Sequence, residues 1–316
     1  MAKGNFKEDG PKKTLTELFC STDLTAELHG HMTLTSVLNS FQSVTAFIGN
    51  AIILIALYTE SSLHPPSKLL LRCLAAADLC VGLISEPLTV AYGISVVSEH
   101  WNICPHLIRA SFITSHILCG VSVGTLTVIS VDRLLTLLLG LRYRQVVTLK
   151  RTYVTVFNLW LFPAVVSLMW FWNPLITIWC GVIGIPVCLI ISIFSYAKIF
   201  LTLRHHNTQI QNHVQQPNRS NQLNMARYKK VLSIAIWLQL TLVTCYLPLS
   251  VAEVFKANIG LSASVYHGWI YTGTLVFLNS SLNPILYCCK LGEVRQTVKD
   301  TIRQMLCNIL WVSSDL

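Results

Sequence analysis

The chain has 316 residues, of which 53% are hydrophobic and only 12% charged, about half the ~25% charged fraction of an ordinary soluble domain. A soluble fold could not cover that much apolar surface, and apolar stretches that run on without alternating argue against a membrane barrel. The net charge of +9 gives no nucleic-acid partner, because the basic residues sit at the ends of apolar segments rather than on one soluble face.

In chain order, residues 1–33 form a charged tail without the apolar run of a secretory signal. The first apolar run is therefore expected to start membrane insertion. Seven apolar segments follow, at about 34–58, 68–97, 105–138, 152–172, 175–203, 226–255 and 264–288. Residues 152–203 hold one charge, Lys198, and are too long for a single crossing at ~1.5 Å per residue. Asn173-Pro174 supplies the turn that divides them. The expected fold is an all-α membrane bundle of seven helices over 34–288, followed by an amphipathic helix and tail over 289–316.

Charge orients the bundle. Six of the 23 Lys and Arg residues (Lys3, Lys7, Lys12, Lys13, Arg109, Lys256) fall on the N-terminal side. The other 17 fall on the opposite side, which predicts an extracellular N-terminus and a cytosolic C-terminus. Residues 205–225 are rich in Asn and Gln and read as a third cytosolic loop, where the sequon at Asn218 should be silent. After the last segment, Val294, Val298, Ile302, Met305 and Ile309 recur every three or four residues between basic side chains. That pattern suits a helix lying on anionic membrane lipids, with Cys307 as a lipidation site.

Polar residues inside apolar segments are costly and point to function. Gly49-Asn50 lies in the first, Leu74 to Asp78 in the second, and Asp132-Arg133-Leu134 ends the third. Trp160 is in the fourth and Tyr196 in the fifth. Cys245-Tyr246-Leu247-Pro248 interrupts the sixth, and Asn279 to Tyr287 with Asn283-Pro284 closes the seventh. In this order and spacing the chain resembles the rhodopsin-like (class A) G-protein-coupled receptors over about residues 35–310. It looks most like the melanocortin/adenosine-like branch, through Leu291 to Thr297 and the short turn at Asn173.

The resemblance implies a plasma-membrane receptor, not an enzyme, that binds an extracellular ligand and activates a heterotrimeric G protein. It implies an activation switch of Asp132, Arg133, Tyr196, Tyr246, Pro248, Asn283, Pro284 and Tyr287. Arg133 would pair with Asp132 at rest and be freed on activation. Leu141, after Gly140, would contact the G protein beside Arg133. Asp78 with Asn50, Ser122, Asn279, Ser280 and Asn283 would hold a sodium ion; the other reading is a protonated Asp78 satisfied by hydrogen bonds. No other cofactor is implied. The chain departs from the family in Leu134 for Tyr and Tyr246 for the usual Trp. Cys104 stands about a turn early, and the loop it would normally bridge has no cysteine, which leaves a Cys20–Cys104 disulfide as one pairing.

For the ligand, Ser115 stands where amine receptors carry Asp, and Glu253 and Phe277 stand where adenosine recognition expects Asn and His. Candidate lining residues are Glu86, Ser115, His116, Cys119, Glu253, His267, Trp269 and Phe277. Glu86 and Glu253 either meet a cationic group, on a peptide or a small molecule, or are locally satisfied acids. Two other readings stay open: a seven-span transporter or channel, against which the lack of repeated halves counts, and a receptor-like protein that binds without signalling.

Overall fold

The computed structural model describes residues 19–21, 28–59, 63–213, 237, 239–256, 258, 262–290, 295–300 and 302–303, the side chains of 206–213, 287, 289 and 290 excepted. The described residues are helical almost throughout, with no strand among them. Span one is His29–Thr59 and span three Cys104–Leu139. Span four is Leu149–Leu168, continued by a 3-10 turn at Met169–Phe171. Span five is Pro174–His213, span six includes helical residues 239–256, and span seven is Ala263–Lys290.

Span two is built in three pieces: Pro65–Cys80, a π-helical turn at Val81–Ser85, and Glu86–Val97. Pro87 explains the break. It has no N–H, and in a regular helix its ring would clash with the carbonyl of Leu83. The wider turn accommodates it, with the Glu86 N–H bonded to the Val81 carbonyl. A π turn absorbs one extra residue. Eight residues of regular helix would leave Glu86 about 80° away from the direction of Asp78, and the extra residue returns it to within about 20°. Both acids therefore share one face, about 10 Å apart along the axis.

Among the described residues, four helices are long and apolar enough to cross a membrane, and only 22–44% of their apolar windows is buried within the protein. The rest faces outward: Phe41, Phe157, Phe162 and Phe194 are exposed, while Asn50, Asp78, Ser122, Asn279 and Asn283 are buried. This inversion is stable only in lipid, where unpaired polar groups are penalised and apolar surface is not. Close approach of spans three and four needs small residues. A Cβ on Gly124 would lie 2.8 Å from Leu159, and one on Gly120 would lie 3.1 Å from Pro163.

Two boundaries differ from the sequence reading. Span one starts five residues earlier, at His29. Span five runs nine residues into the polar stretch expected to be a loop, through His213. Residues 204–213 contain neither Pro nor Gly, so nothing local stops a helix already nucleated in span five. The turn between spans four and five falls at Asn173, as expected, and Asn173 Oδ1 accepts from the Leu175 N–H at 3.1 Å. After span seven, residues 295–300 and 302–303 are helical, and Val298 packs into the main core cluster. Val294, Met305, Cys307 and Ile309 lie outside the described residues, as do Asn218 and residues 224–230.

Candidate functional site

Three polar assemblies lie along the bundle axis. The middle one centres on Asp78, which is fully buried. Ser122 and Ser280 both donate to its Oδ1 at 2.9 Å, and Asn283 donates to its Oδ2 at 2.6 Å. Asn50 donates to the Ser280 carbonyl at 3.0 Å and so ties span one to span seven. The spacing of Asn279, Ser280 and Asn283 places all three on the inward side of span seven, where each is buried. Asn50 Oδ1 and Asn279 Nδ2 are buried and lack partners. A carboxylate, two hydroxyls and an unpaired amide oxygen form a hard oxygen set of the kind that suits a small cation. Tyr246, 2% exposed, lies against Ser122.

At one end, which carries Arg133, the sequence reading needs a correction. Asp132 makes no ion pair with Arg133; among the described residues the one ion pair is Lys256–Glu253. Both Asp132 oxygens are occupied instead: Ser67 donates to Oδ2 at 3.0 Å and Tyr143 to Oδ1 at 2.6 Å. Neighbouring helix residues point about 100° apart, so Asp132 turns toward span two and the loop after span three, and Arg133 toward Tyr196. Gly140 ends span three at φ +50°, where side chains are strained. Leu141 follows and is 98% exposed. Pro248 is half-buried in span six, and Pro284 lies inside the span-seven helix. The Tyr287 side chain lies outside what is described.

At the other end, Cys20 and Cys104 form a disulfide across 84 residues. It holds Phe19 over the bundle mouth. Phe19 is 4% exposed, with its ring 5.2 Å from Tyr266 and 5.5 Å from Trp269. Its carbonyl accepts from the Tyr92 hydroxyl, which also bonds that of Tyr266. Beneath lies a cavity of about 620 Å³, mostly apolar. Of the predicted lining residues it includes Ser115, His116, Cys119, Glu253, Trp269 and Phe277. Tyr246 also borders it, so one side chain faces both the cavity and the Asp78 cluster. Glu253 is already engaged: Lys256 pairs with it at 2.6 Å, and the Trp269 indole donates to it at 2.6 Å.

Glu86 and His267 do not border this cavity. His267 packs its ring 4.4 Å from that of His31. Glu86 is fully buried, and neither of its carboxylate oxygens has a partner. Sequence reasoning missed Ser67, Tyr143, Phe19 and Lys256. Lys256 could have been read from its i,i+3 spacing to Glu253; the other three act across long sequence separations that leave no local pattern.

Residues 49–174 and 169–287 match the family model described as "7 transmembrane receptor (rhodopsin family)". The chain is 25% identical over 281 residues to the adenosine receptor A3 of Ovis aries, covering 80% of this chain and 84% of that receptor. It is 24% identical over 279 residues to melanocortin receptor 5 of Mus musculus, covering 82% and 81%. Against melanocortin receptor 4 of Danio rerio the identity is 22% over 279 residues, covering 81% and 80%.

Proposed function

Since the chain belongs to the rhodopsin family of seven-transmembrane receptors, we propose how its own residues carry out that family's signalling. It is a G-protein-coupled receptor, not an enzyme, and a multi-pass protein of the plasma membrane. The disulfide end is extracellular and the Arg133 end cytosolic, an orientation supported by the 6-to-17 division of basic residues. An epitope tag ahead of residue 1 should stain on intact cells. Staining only after permeabilisation would reverse the orientation.

The cavity under Phe19 takes the ligand. The observation that carries this reading is Tyr246, which borders the cavity on one side and lies against Ser122, an Asp78 partner, on the other. A ligand pressing on Tyr246 would disturb the Asp78 cluster, and with it the packing of spans three, six and seven. The ligand is a small, largely apolar molecule rather than a cationic peptide, because Glu253 is already paired with Lys256 and Glu86 lies off the wall. The adenosine and melanocortin in the relatives' names are therefore poor guides to it. At rest Asp78, Ser122, Asn279, Ser280 and Asn283 would hold a sodium ion, which would supply positive charge against the buried carboxylate. Outward swing of span six about Pro248 then opens a cleft where Arg133 and Leu141 meet the G protein.

A ligand screen in transfected cells, read by cAMP and by calcium, tests this reading. An active compound should lose potency at least tenfold in Phe277→Ala and in His116→Ala at equal surface expression. An agonist indifferent to both changes would remove the ligand from this cavity.

A further inference from the structure

Among the described residues, Glu86 is a fully buried acid that the signalling reading leaves unused. It is 0% exposed, and both its oxygens lack a hydrogen-bond partner. A buried carboxyl with no partner is costly in either protonation state. Its surroundings are also unsatisfied. Asn39 Oδ1 is buried and unpartnered on a side chain 2% exposed, and the Oγ of fully buried Ser85 and the Oε1 of partly buried Gln42 also lack partners.

Helix register brings these groups together. Spans one and two are antiparallel neighbours. Ser43 donates to the Gly82 carbonyl at 2.6 Å, and a Cβ on Gly93 would strike Ser36 Oγ at 2.3 Å. Glu86 lies four residues beyond Gly82, and Asn39 four residues before Ser43. Each is one turn along the facing stripe from that contact, so they stand at the same level of the interface. Gln42 is on the adjoining turn, and the π turn aims Glu86 inward. The cavity under Phe19 sends an arm to this level, lined by Met32, Thr35, Ser36, Asn39, Thr89 and Gly93. Asn39 thus borders the cavity while Glu86 lies behind that wall, so entry to the site from the cavity passes Asn39.

The buried atoms left without partners at this level are mostly acceptors: two carboxylate oxygens and two amide oxygens, against one hydroxyl. A carboxylate flanked by amide oxygens suits a hard cation when the Asn39 and Gln42 amino groups turn away from it. We infer that Glu86, Asn39 and Gln42 form a second site for a small monovalent cation, about two helical turns outward of Asp78 on the same face of span two. Its occupant is a free sodium ion, or the ammonium end of a molecule that enters through the cavity arm. The receptor reading enters only in placing a first sodium ion at Asp78.

The test uses purified full-length receptor in nanodiscs. Its melting temperature is followed while sodium chloride replaces N-methylglucamine chloride at constant ionic strength; n-butylammonium chloride is a second arm. A cation bound only by the folded state raises melting temperature saturably. Asp78→Asn should keep part of the sodium-dependent rise, and adding Glu86→Gln should abolish the remainder. Asn39→Ala in the Asp78→Asn background should raise the half-effect concentration at least tenfold; it carries the test if the Glu86 variant is not recovered folded. Loss of the whole rise in Asp78→Asn alone, with no response to butylammonium, would overturn the inference. So would a Glu86→Gln variant that responds to each cation as its parent does, the behaviour of a neutral acid. A rise untouched by Asp78→Asn but removed by Glu86→Gln supports this site and defeats the sodium assignment at Asp78. A Glu86-dependent response to butylammonium and not to sodium assigns the site to an ammonium group.

Discussion

The Tyr143 hydroxyl donates to Asp132 Oδ1 at 2.6 Å, joining the loop after span three back to the end of that helix. Ser67 occupies the other oxygen from span two. Asp132 therefore acts as a fastener for three elements and leaves Arg133 without an ion pair among the described residues. A hydrogen bond to a charged group contributes about 1.5–3 kcal/mol. Tyr143→Phe removes one such bond and keeps the ring. Basal nucleotide exchange in membranes, normalised to receptor number, should rise about tenfold if ~1.4 kcal/mol of that bond favours the resting state. Equal basal rates in the variant and the parent would mean that the bond is kept on activation.

The Asp78 cluster makes a different prediction. If sodium there favours the resting state, agonist affinity should fall as sodium rises, since a ligand shifts an equilibrium by its differential affinity. Asp78→Asn keeps the shape but removes the charge, and should make agonist competition curves superimpose with and without sodium. A variant whose curves still separate as the parent's do would leave Asp78 as a hydrogen-bonded structural acid.

The fold was legible because lipid imposes a simple rule: continuous apolar runs must be helices, and their count and ends follow from charge and turn residues. The Asp78 cluster was legible through the family resemblance, which set Asn50, Ser122, Asn279, Ser280 and Asn283 around it; spacing alone relates only the three on span seven. Asp132's partners were not. Ser67 and Tyr143 are ordinary residues at helix ends, and only the packed bundle brings them within reach. Glu86 was visible as an acid, but its direction was not. A regular helix would have turned it well away from the face of Asp78, and the π turn that restores it depends on how the Pro87 clash is relieved. The end of span five was misjudged because Asn and Gln were read as loop residues, although they can extend a helix already formed.

Phe19, beside the Cys20–Cys104 bridge, packs on Trp269 and bonds Tyr92, two residues that border the cavity. Phe19→Ala should speed both association and dissociation of an agonist, because Tyr266 and Trp269 lose the ring that packs on them. The two rate constants should rise together, so affinity changes less than either. Cys20→Ser with Cys104→Ser should copy the kinetic effect and also lower melting temperature, since the bridge closes an 84-residue separation. Unchanged agonist kinetics in both variants would show that ligand enters elsewhere.

The last prediction concerns the second latch found in some receptors of this family, an acid at the inner end of span six that pairs with the span-three arginine. Here the stretch Asn224 to Lys230 contains Arg227, Lys229 and Lys230 and no acid; it lies outside the described residues. Arg133 has no ion pair with Asp132 either, so neither latch of the resting state is present in that form. Restraint falls to the Ser67–Asp132–Tyr143 fastener and to packing of Leu134 against Ile199 and Leu203. An ion pair at such a site contributes about 1 kcal/mol, which in an equilibrium is about fivefold. The wild-type receptor should therefore signal measurably without ligand. Tyr228→Glu or Lys229→Glu should lower that signal several-fold when the new carboxylate reaches Arg133, and adding Arg133→Gln should remove the difference. The measurement is basal G-protein activation per receptor at the cell surface. A silent wild type, or two Glu variants as active as their parent, would show that the resting state is held by contacts other than a charge on Arg133.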